Sequence, residues 1–183
     1  MKNLRLNYET LIKITRSLTQ SKKTEEIIQM TVKSIKSALD IKGCTLFLVN
    51  RGTNELEVAA STGLSREYLN KGAISALKSI ADSLKDGPVA VYDVGDDPRI
   101  QYPEAAKAEG IASILSVPIM IGDEAIGAVR VYTEKKWDFT LDDVNFVQAI
   151  AQIAGIIIEM TRLYQGQSEY IETLSTMCES PAL

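Results

Sequence analysis

Histidine is absent from this 183-residue chain, which removes the one side chain whose ordinary pKa lies near neutral pH. His-based catalytic triads, the usual His-containing zinc sites and a His-ligated haem are excluded with it. Cysteine is scarce. Cys44 and Cys178 are the only two, they are far apart, and no CxxC pair suggests a redox or zinc motif. Basic charge is not in excess either: 20 Lys and Arg stand against 24 Asp and Glu, a net charge of -4. That excludes the concentrated basic face with which proteins displace counterions from nucleic acid. No apolar run reaches 18 residues uninterrupted, and the opening "MKNLRLNYET" lacks the apolar core of a signal peptide. These absences point to a cytoplasmic protein with no nucleic-acid or membrane partner, no metal and no cofactor. They favour a binding module over a catalyst.

What is present is an ordinary globular composition, 45% hydrophobic and 24% charged, at a length that suits one domain with helical extensions. Leu4, Tyr8, Leu11, Thr15 and Leu18 recur at helical spacing over residues 3–20, and Ser21-Lys22-Lys23 interrupts them. Thr24 followed by Glu25 and Glu26 reads as an N-cap with acids in the first turn. A second helix then runs to about Leu39, with Ile28, Val32, Ile35 and Leu39 on one face. "GCTLFLVN" (43–50) and "ELEVAAS" (55–61) read as strands around the turn Arg51-Gly52-Thr53-Asn54. A polar segment with helical stretches fills 64–86, and "PVAVYDV" (88–94) reads as a third strand. Residues 95–111 hold a turn, a short helix opened by proline and a glycine stop. "ILSVPIMIGDEAIGAVRVYT" (114–133) is a hairpin, and Thr140-Leu141-Asp142-Asp143 opens a long final helix. Adjacent strands joined by short turns indicate a mostly antiparallel sheet in an α+β domain.

One residue of the hairpin is out of keeping. Arg130 is a full charge between Val129 and Val131 in a strand that is otherwise apolar. If Gly122-Asp123-Glu124 is a three-residue loop, Ile121 lies opposite Ala125 and Ser116 opposite Arg130. One face is then purely apolar, with Leu115, Val117, Ile119, Gly127, Val129 and Val131, and Gly127 lets a helix approach. The other carries Ser116, Arg130 and Tyr132 among Ile114, Pro118, Met120, Ile126 and Ala128. Arg130 therefore faces away from the packed helices, where its planar fork could anchor a carboxylate or phosphate. The plainer alternative is a structural pair with an acid such as Asp93. Asp93, Asp96 and Asp97 have the spacing of a hard-cation site, but a solvated turn closed by Asp-Pro accounts for them. Cys44 reads as a small core residue.

In the final helix Val144, Val147, Ala151, Ala154 and Ile158 form one apolar stripe. Phe146, Ile150, Ile153, Ile157, Met160 and Tyr164 form a second, whose spacing continues through Gln167, Ile171, Leu174 and Cys178. One stripe can cover the sheet. The other calls for the N-terminal helix or a second subunit.

Gly110, Ser113, Val117, Pro118, Gly122, Ile126, Gly127, Phe139, Asp142 and Asp143 fall in the pattern of a known family, and "AASTGLS" (59–65) and "DVGDDPR" (93–99) fit it too. Over about residues 24–160 the chain resembles the GAF domain. The resemblance implies a central antiparallel sheet of about five or six strands with the terminal helices on one face. On the other, a small-molecule pocket would lie under loops and short helices, and Arg130 would point into it. Its implied ligand-binding residues are Arg130, Tyr132, Ser116, Tyr92, Asp93, Arg99 and Tyr102, with no catalytic residue. Bilin- and haem-binding members need residues this chain lacks, and methionine-sulfoxide-reducing members need loop cysteines. The cyclic-nucleotide motif is broken by Glu134 and Val144, where Asn and Glu would stand. The expectation is a sensory or regulatory module of three parts: an N-terminal helix (1–23), the GAF domain (24–160) and a helical tail (161–183). It would bind a small, anionic ligand and form a homodimer through its terminal helices. With no output domain following, it would act through a protein signalling partner or its own assembly. The alternatives are a ligand-free dimerisation scaffold with a self-filled pocket and an enzyme related to free methionine sulfoxide reductase.

Overall fold

The computed structural model describes residues 8–21, 23–50, 52–53, 55–72, 74–75 and 87–179. Leu4, Lys22, Arg51, Asn54 and most of the expected helical stretch after residue 75 lie outside them. Helices α1 (Tyr8–Gln20) and α2 (Thr24–Leu39) lead into strands β1 (Gly43–Asn50) and β2 (Glu55–Thr62). After these come a short helix α3 (Arg66–Leu69) and two short strands, β3 (Ile74–Ser75) and β4 (Val89–Val91). Helix α4 (Pro103–Ala108), strands β5 (Ser113–Ile121) and β6 (Glu124–Thr133) and helix α5 (Leu141–Glu179) complete the chain. The six strands form one antiparallel sheet in the order β3-β2-β1-β6-β5-β4. The architecture is α+β, as expected.

Strand alternation builds the main core. Cys44 and Leu46 of β1, Leu115, Val117 and Ile119 of β5, and Val129 and Val131 of β6 all point to one face, where α2 and α5 cover them. Helix α2 contributes Ile28, Val32, Ile35 and Leu39, at the spacing read from the sequence, together with Ile27. Thr24 is the first residue of α2 and is not its cap. Lys23 occupies the N-cap without a side-chain bond, and the nearby Ser21 hydroxyl bonds Glu26 (2.7 Å) and accepts from the Lys23 N–H (3.2 Å). At the head of α5, Thr140 and Asp143 satisfy each other's backbone N–H groups (2.9 and 3.3 Å), and Asp143 also accepts from the Trp137 indole (3.2 Å).

In the hairpin, Ser116 lies opposite Arg130 as read, but by a different route. Ile121 pairs with Glu124, so the loop is the two-residue Gly122-Asp123, and the register is recovered at a β-bulge. Ile119 faces Gly127 while Met120 faces Ala125, which makes Ile126 the extra residue. The bulge carries Ile126 over to the helix-side core, where the expected alternation had placed it on the opposite face. Gly127 does not make room for a helix. A Cβ there would collide with the Phe47 carbonyl oxygen and sit 3.3 Å from Leu48 Cα, so it is β1 that approaches. The close helix contact comes from α5 itself, whose Gly155 meets the Ile119 side chain.

The second stripe of the final helix also divides. Phe146 and Ile150 are buried, and Ile153 and Ile157 pack against the same core, which includes Ile14 and Leu18 of α1. What remains exposed is the later part of that stripe, Met160, Tyr164 and Ile171, with Ile156 and Leu163 alongside it. By length and composition alone, Leu141–Ser168 could cross a membrane, but its buried positions rest on the sheet as a core helix does. The described side chains end before Leu174 and Cys178.

Candidate functional site

The sheet face opposite the long helices is built by the other half of the alternation. Thr45, Arg130 and Ser116 stand in one row across β1, β6 and β5, because Thr45 pairs with Arg130 and Arg130 with Ser116. Ile114 and Tyr132 form the next row. All five are buried, Arg130 to 4% exposure and Tyr132 to 1%. The Thr45 hydroxyl shares a hydrogen bond with Ser61 of β2 (2.9 Å). Phe47, two residues along β1, presents its ring to the guanidinium at 5.1 Å, a cation–π contact strengthened by its exclusion from water. The Tyr132 hydroxyl lies within hydrogen-bonding reach of both Thr45 and Arg130.

Over this face the chain lays α3 and the segment carrying α4. Ser65 caps α3 by accepting from the Tyr68 N–H (3.1 Å). Its own N–H (2.9 Å) and hydroxyl both bond Glu109, just past α4. That clasp holds the buried Tyr68 edge-on to Tyr132, with ring centroids 5.9 Å apart. Lys71 follows. Its ammonium sits 3.6 Å from the centre of the Tyr68 ring and donates to the Tyr68 carbonyl (2.9 Å). Val91, Val94, Ala106 and Ile111 pack around the tyrosines and close the far side. Gly72 has φ +131°, open to glycine and to little else, and lies so close to the Tyr102 hydroxyl that a Cβ would displace it.

The electrostatics follow from this burial. Desolvation, then the Arg130 charge, pulls the Lys71 ammonium down to about 8, with Glu109 opposing. Burial pushes the Tyr68 and Tyr132 hydroxyls well up, although Arg130 favours their ionised forms. Burial opposes ionisation of Glu109, yet its Ser65 bonds and the charges of Lys42 and Lys71 hold it below the usual carboxylate range. The face thus joins two cations through a pair of neutral phenols.

Of the residues named from the sequence, Arg130, Tyr132 and Ser116 meet here. Tyr92, Asp93 and Arg99 lie elsewhere, in the turn after β4. Asp93 pairs with Lys136 and accepts from the Gly95 N–H (3.0 Å), so its charge is answered outside the site. Tyr92 is exposed, with the Lys136 ammonium 5.8 Å from its ring centre. Arg99 binds Asp97 within the turn and the Ala90 carbonyl (3.3 Å) outside it. Tyr102 stands at the edge, against Gly72. Tyr68 and Lys71 were missed, as were Thr45, Phe47 and Ser61. The available signal was Ser65 as a cap for a short helix whose third residue is aromatic.

A family model for the GAF domain matches residues 21–159. Among solved structures, the GAF domain of a phosphoenolpyruvate-protein phosphotransferase from Coxiella burnetii is similar at 19% identity with a TM-score of 0.79, over 90% of this chain and 99% of that one. The corresponding domain from Acinetobacter is 18% identical with a TM-score of 0.72, over 89% and 97%. The free methionine-R-sulfoxide reductase from Neisseria meningitidis, solved with its substrate, is 20% identical with a TM-score of 0.76, over 90% and 95%. At these identities the likeness is one of fold. No curated protein matches the chain.

Proposed function

The chain belongs to the GAF domain family, in general a family of sensory and regulatory modules that bind small molecules, and on that premise we propose that it is a cytoplasmic module for a small anionic ligand. The observation that carries this reading is the buried guanidinium of Arg130, in one row with Thr45 and Ser116 on the sheet face away from the long helices. The planar fork of an arginine suits a small anion such as a carboxylate or phosphate. Thr45, Ser61, Ser116 and the two tyrosines supply hydroxyls to orient it. Thermal shift against a panel of carboxylates and phosphates tests the reading: anions should raise the melting temperature of the parent and not of Arg130→Met. A parent that no anion stabilises would refute it.

The second reading is a dimerisation scaffold whose pocket is self-filled, and the burial of Tyr68 and Tyr132 favours it. The same panel separates the two, since a filled pocket answers to no anion. An enzyme akin to the reductase among the structural neighbours is opposed by the thiol at hand. Cys44 is buried in β1 on the helix side, and desolvation holds it far from the reactive thiolate. Incubation with free methionine sulfoxide and a thiol reductant should yield no methionine beyond that formed by the reductant alone.

Assembly through the terminal helices completes the proposal, and a protein signalling partner would read its state. Support comes from α5, where Ile156, Met160 and Leu163 lie exposed at 4-3 spacing beyond the core contacts. Sedimentation should give a dimer for the parent and a monomer for the Ile156→Glu, Met160→Glu double variant. A monomeric parent at micromolar concentration would end the dimer reading.

A further inference from the structure

Thr45, Ser116, Arg130 and Tyr132 are all buried, so whatever binds on this face must first uncover it. Helix α3 is held over the face lightly. Tyr68 is the one buried side chain of its four residues, and Leu64, just before it, rests partly buried on the same apolar cluster. The other tie is polar and spans 44 residues of chain. Both the N–H of Ser65 (2.9 Å) and its hydroxyl donate to the Glu109 carboxylate. The two contacts of the Lys71 ammonium, with the Tyr68 ring and the Tyr68 carbonyl, lie inside the segment and travel with it. Gly63 at φ +80° and Gly72 at φ +131° bracket it.

We infer that residues 64–71 form a gate over Tyr132, turning on Gly63 and Gly72, and that the bonds between Ser65 and Glu109 are its latch. What passes the gate follows from the anionic reading above; the motion itself belongs to the chain without ligand. A Cβ at Gly63 would collide with the Lys42 carbonyl oxygen, so this pivot is seated against the loop before β1. Glycine can still change its own φ and ψ at little steric cost, which is what a hinge has to do. The latch is fixed at its other end, because Glu109 directly follows α4 and lies between Ala106 and Ile111 of the apolar cluster. Bonds to a charged carboxylate are the stronger kind, so two of them weigh heavily against one buried ring.

Opening lifts the Tyr68 ring from the edge-on contact with Tyr132. Tyr132 is then uncovered, and its hydroxyl is the group within reach of both Thr45 and Arg130. A segment with few buried contacts opens locally at a small fraction of the cost of unfolding the domain. The latch therefore sets the closed fraction. Its loss should multiply the open population between the two glycines and leave the strand before them and the helix that carries Glu109 as they were.

Hydrogen exchange of the whole chain without ligand, in the parent and in Glu109→Ala, tests this. The amides of Tyr68, Leu69 and Asn70 are bonded to Ser65 and Arg66. They should exchange about tenfold faster in the variant, while the amides of β2 and α4 keep the parent's rates. Glu109→Gln, which keeps an acceptor oxygen without the charge, should fall between the two. Hydroxyl-radical footprinting should label Tyr132 more in Glu109→Ala, and the exposed Tyr92 equally in both proteins. Three results overturn the gate: α3 amides that keep the parent's rate, fast exchange that spreads into β2 or α4, or fast α3 amides with Tyr132 no more labelled. Each leaves the anion site standing. A parent that no anion stabilises would remove the ligand reading alone, since the gate is measured without one.

Discussion

Gly127→Ala is a one-methyl change at which the strand packing can be refuted directly. Gly127 lies opposite Leu48 where β6 meets β1. A Cβ at Gly127 would stand well under 3.0 Å from the Phe47 carbonyl oxygen, closer than real Cβ atoms come, and 3.3 Å from Leu48 Cα. Both obstacles are backbone, which cannot swing aside as a side chain can, so the strands must part by about 1 Å. Overpacking of this kind costs about 1–3 kcal/mol, and the upper end applies when backbone must move. Alanine recovers about 0.5–1 kcal/mol over glycine in a strand. The net is a loss of about 2 kcal/mol, or roughly 4–8 °C in melting temperature at this chain length. Gly166→Ala is the control: it meets nothing within 4 Å in the exposed part of α5, so it should leave the melt unchanged or raise it. Urea unfolding should show a lower midpoint for Gly127→Ala with an unchanged slope. A Gly127→Ala protein melting within about 1 °C of the parent would refute the argument.

Two further outcomes follow from contacts away from the site. Ser113→Ala removes a buried hydroxyl that donates to the Tyr92 carbonyl (2.6 Å) and accepts from the Trp137 N–H (2.9 Å). It should cost about 1–3 kcal/mol in urea unfolding and shift the emission of the single tryptophan; an unmoved emission and midpoint would count against the bridge. Gly155→Ala should destabilise by about 1–3 kcal/mol through the Ile119 side chain. In a double-mutant cycle with Ile119→Ala the two losses should add to less than their sum, and plain additivity would show that the contact is not what limits the site.

The legible parts of the fold were those in which many residues agree. Segregating apolar from mixed positions fixed Ser116 opposite Arg130, because one wrong step turns every side chain of a strand to the other face. The same reasoning could not see the bulge. A bulge restores the register two residues from the turn, so a three-residue loop without one and a two-residue loop with one predict the same pair. Ile126 was misplaced for that reason. Gly127 was read as a helix contact because sequence does not say which neighbour comes close. Tyr68 and Lys71 sit in a polar segment without period, and only the fold sets them against Arg130. Asp93 was offered to Arg130 as one example of a pairing acid, whereas a lysine 43 residues later claims it, a pairing that no local pattern records.

Strand β5 belongs to both faces at once, since Ile114 and Ser116 line the site while Leu115, Val117 and Ile119 bear on α5. Ile158 is the last buried residue of that helix among those described, and the helix then runs on to Glu179, about 30 Å further. Such a geometry is a lever with its short arm bedded on the sheet. A rocking of the bedded turns by about 5° carries the far end through roughly 3 Å over that length. A shift of about 1 Å at the ends of the bedded turns would thereby be enlarged, without any bond breaking, to about 3 Å at the far end.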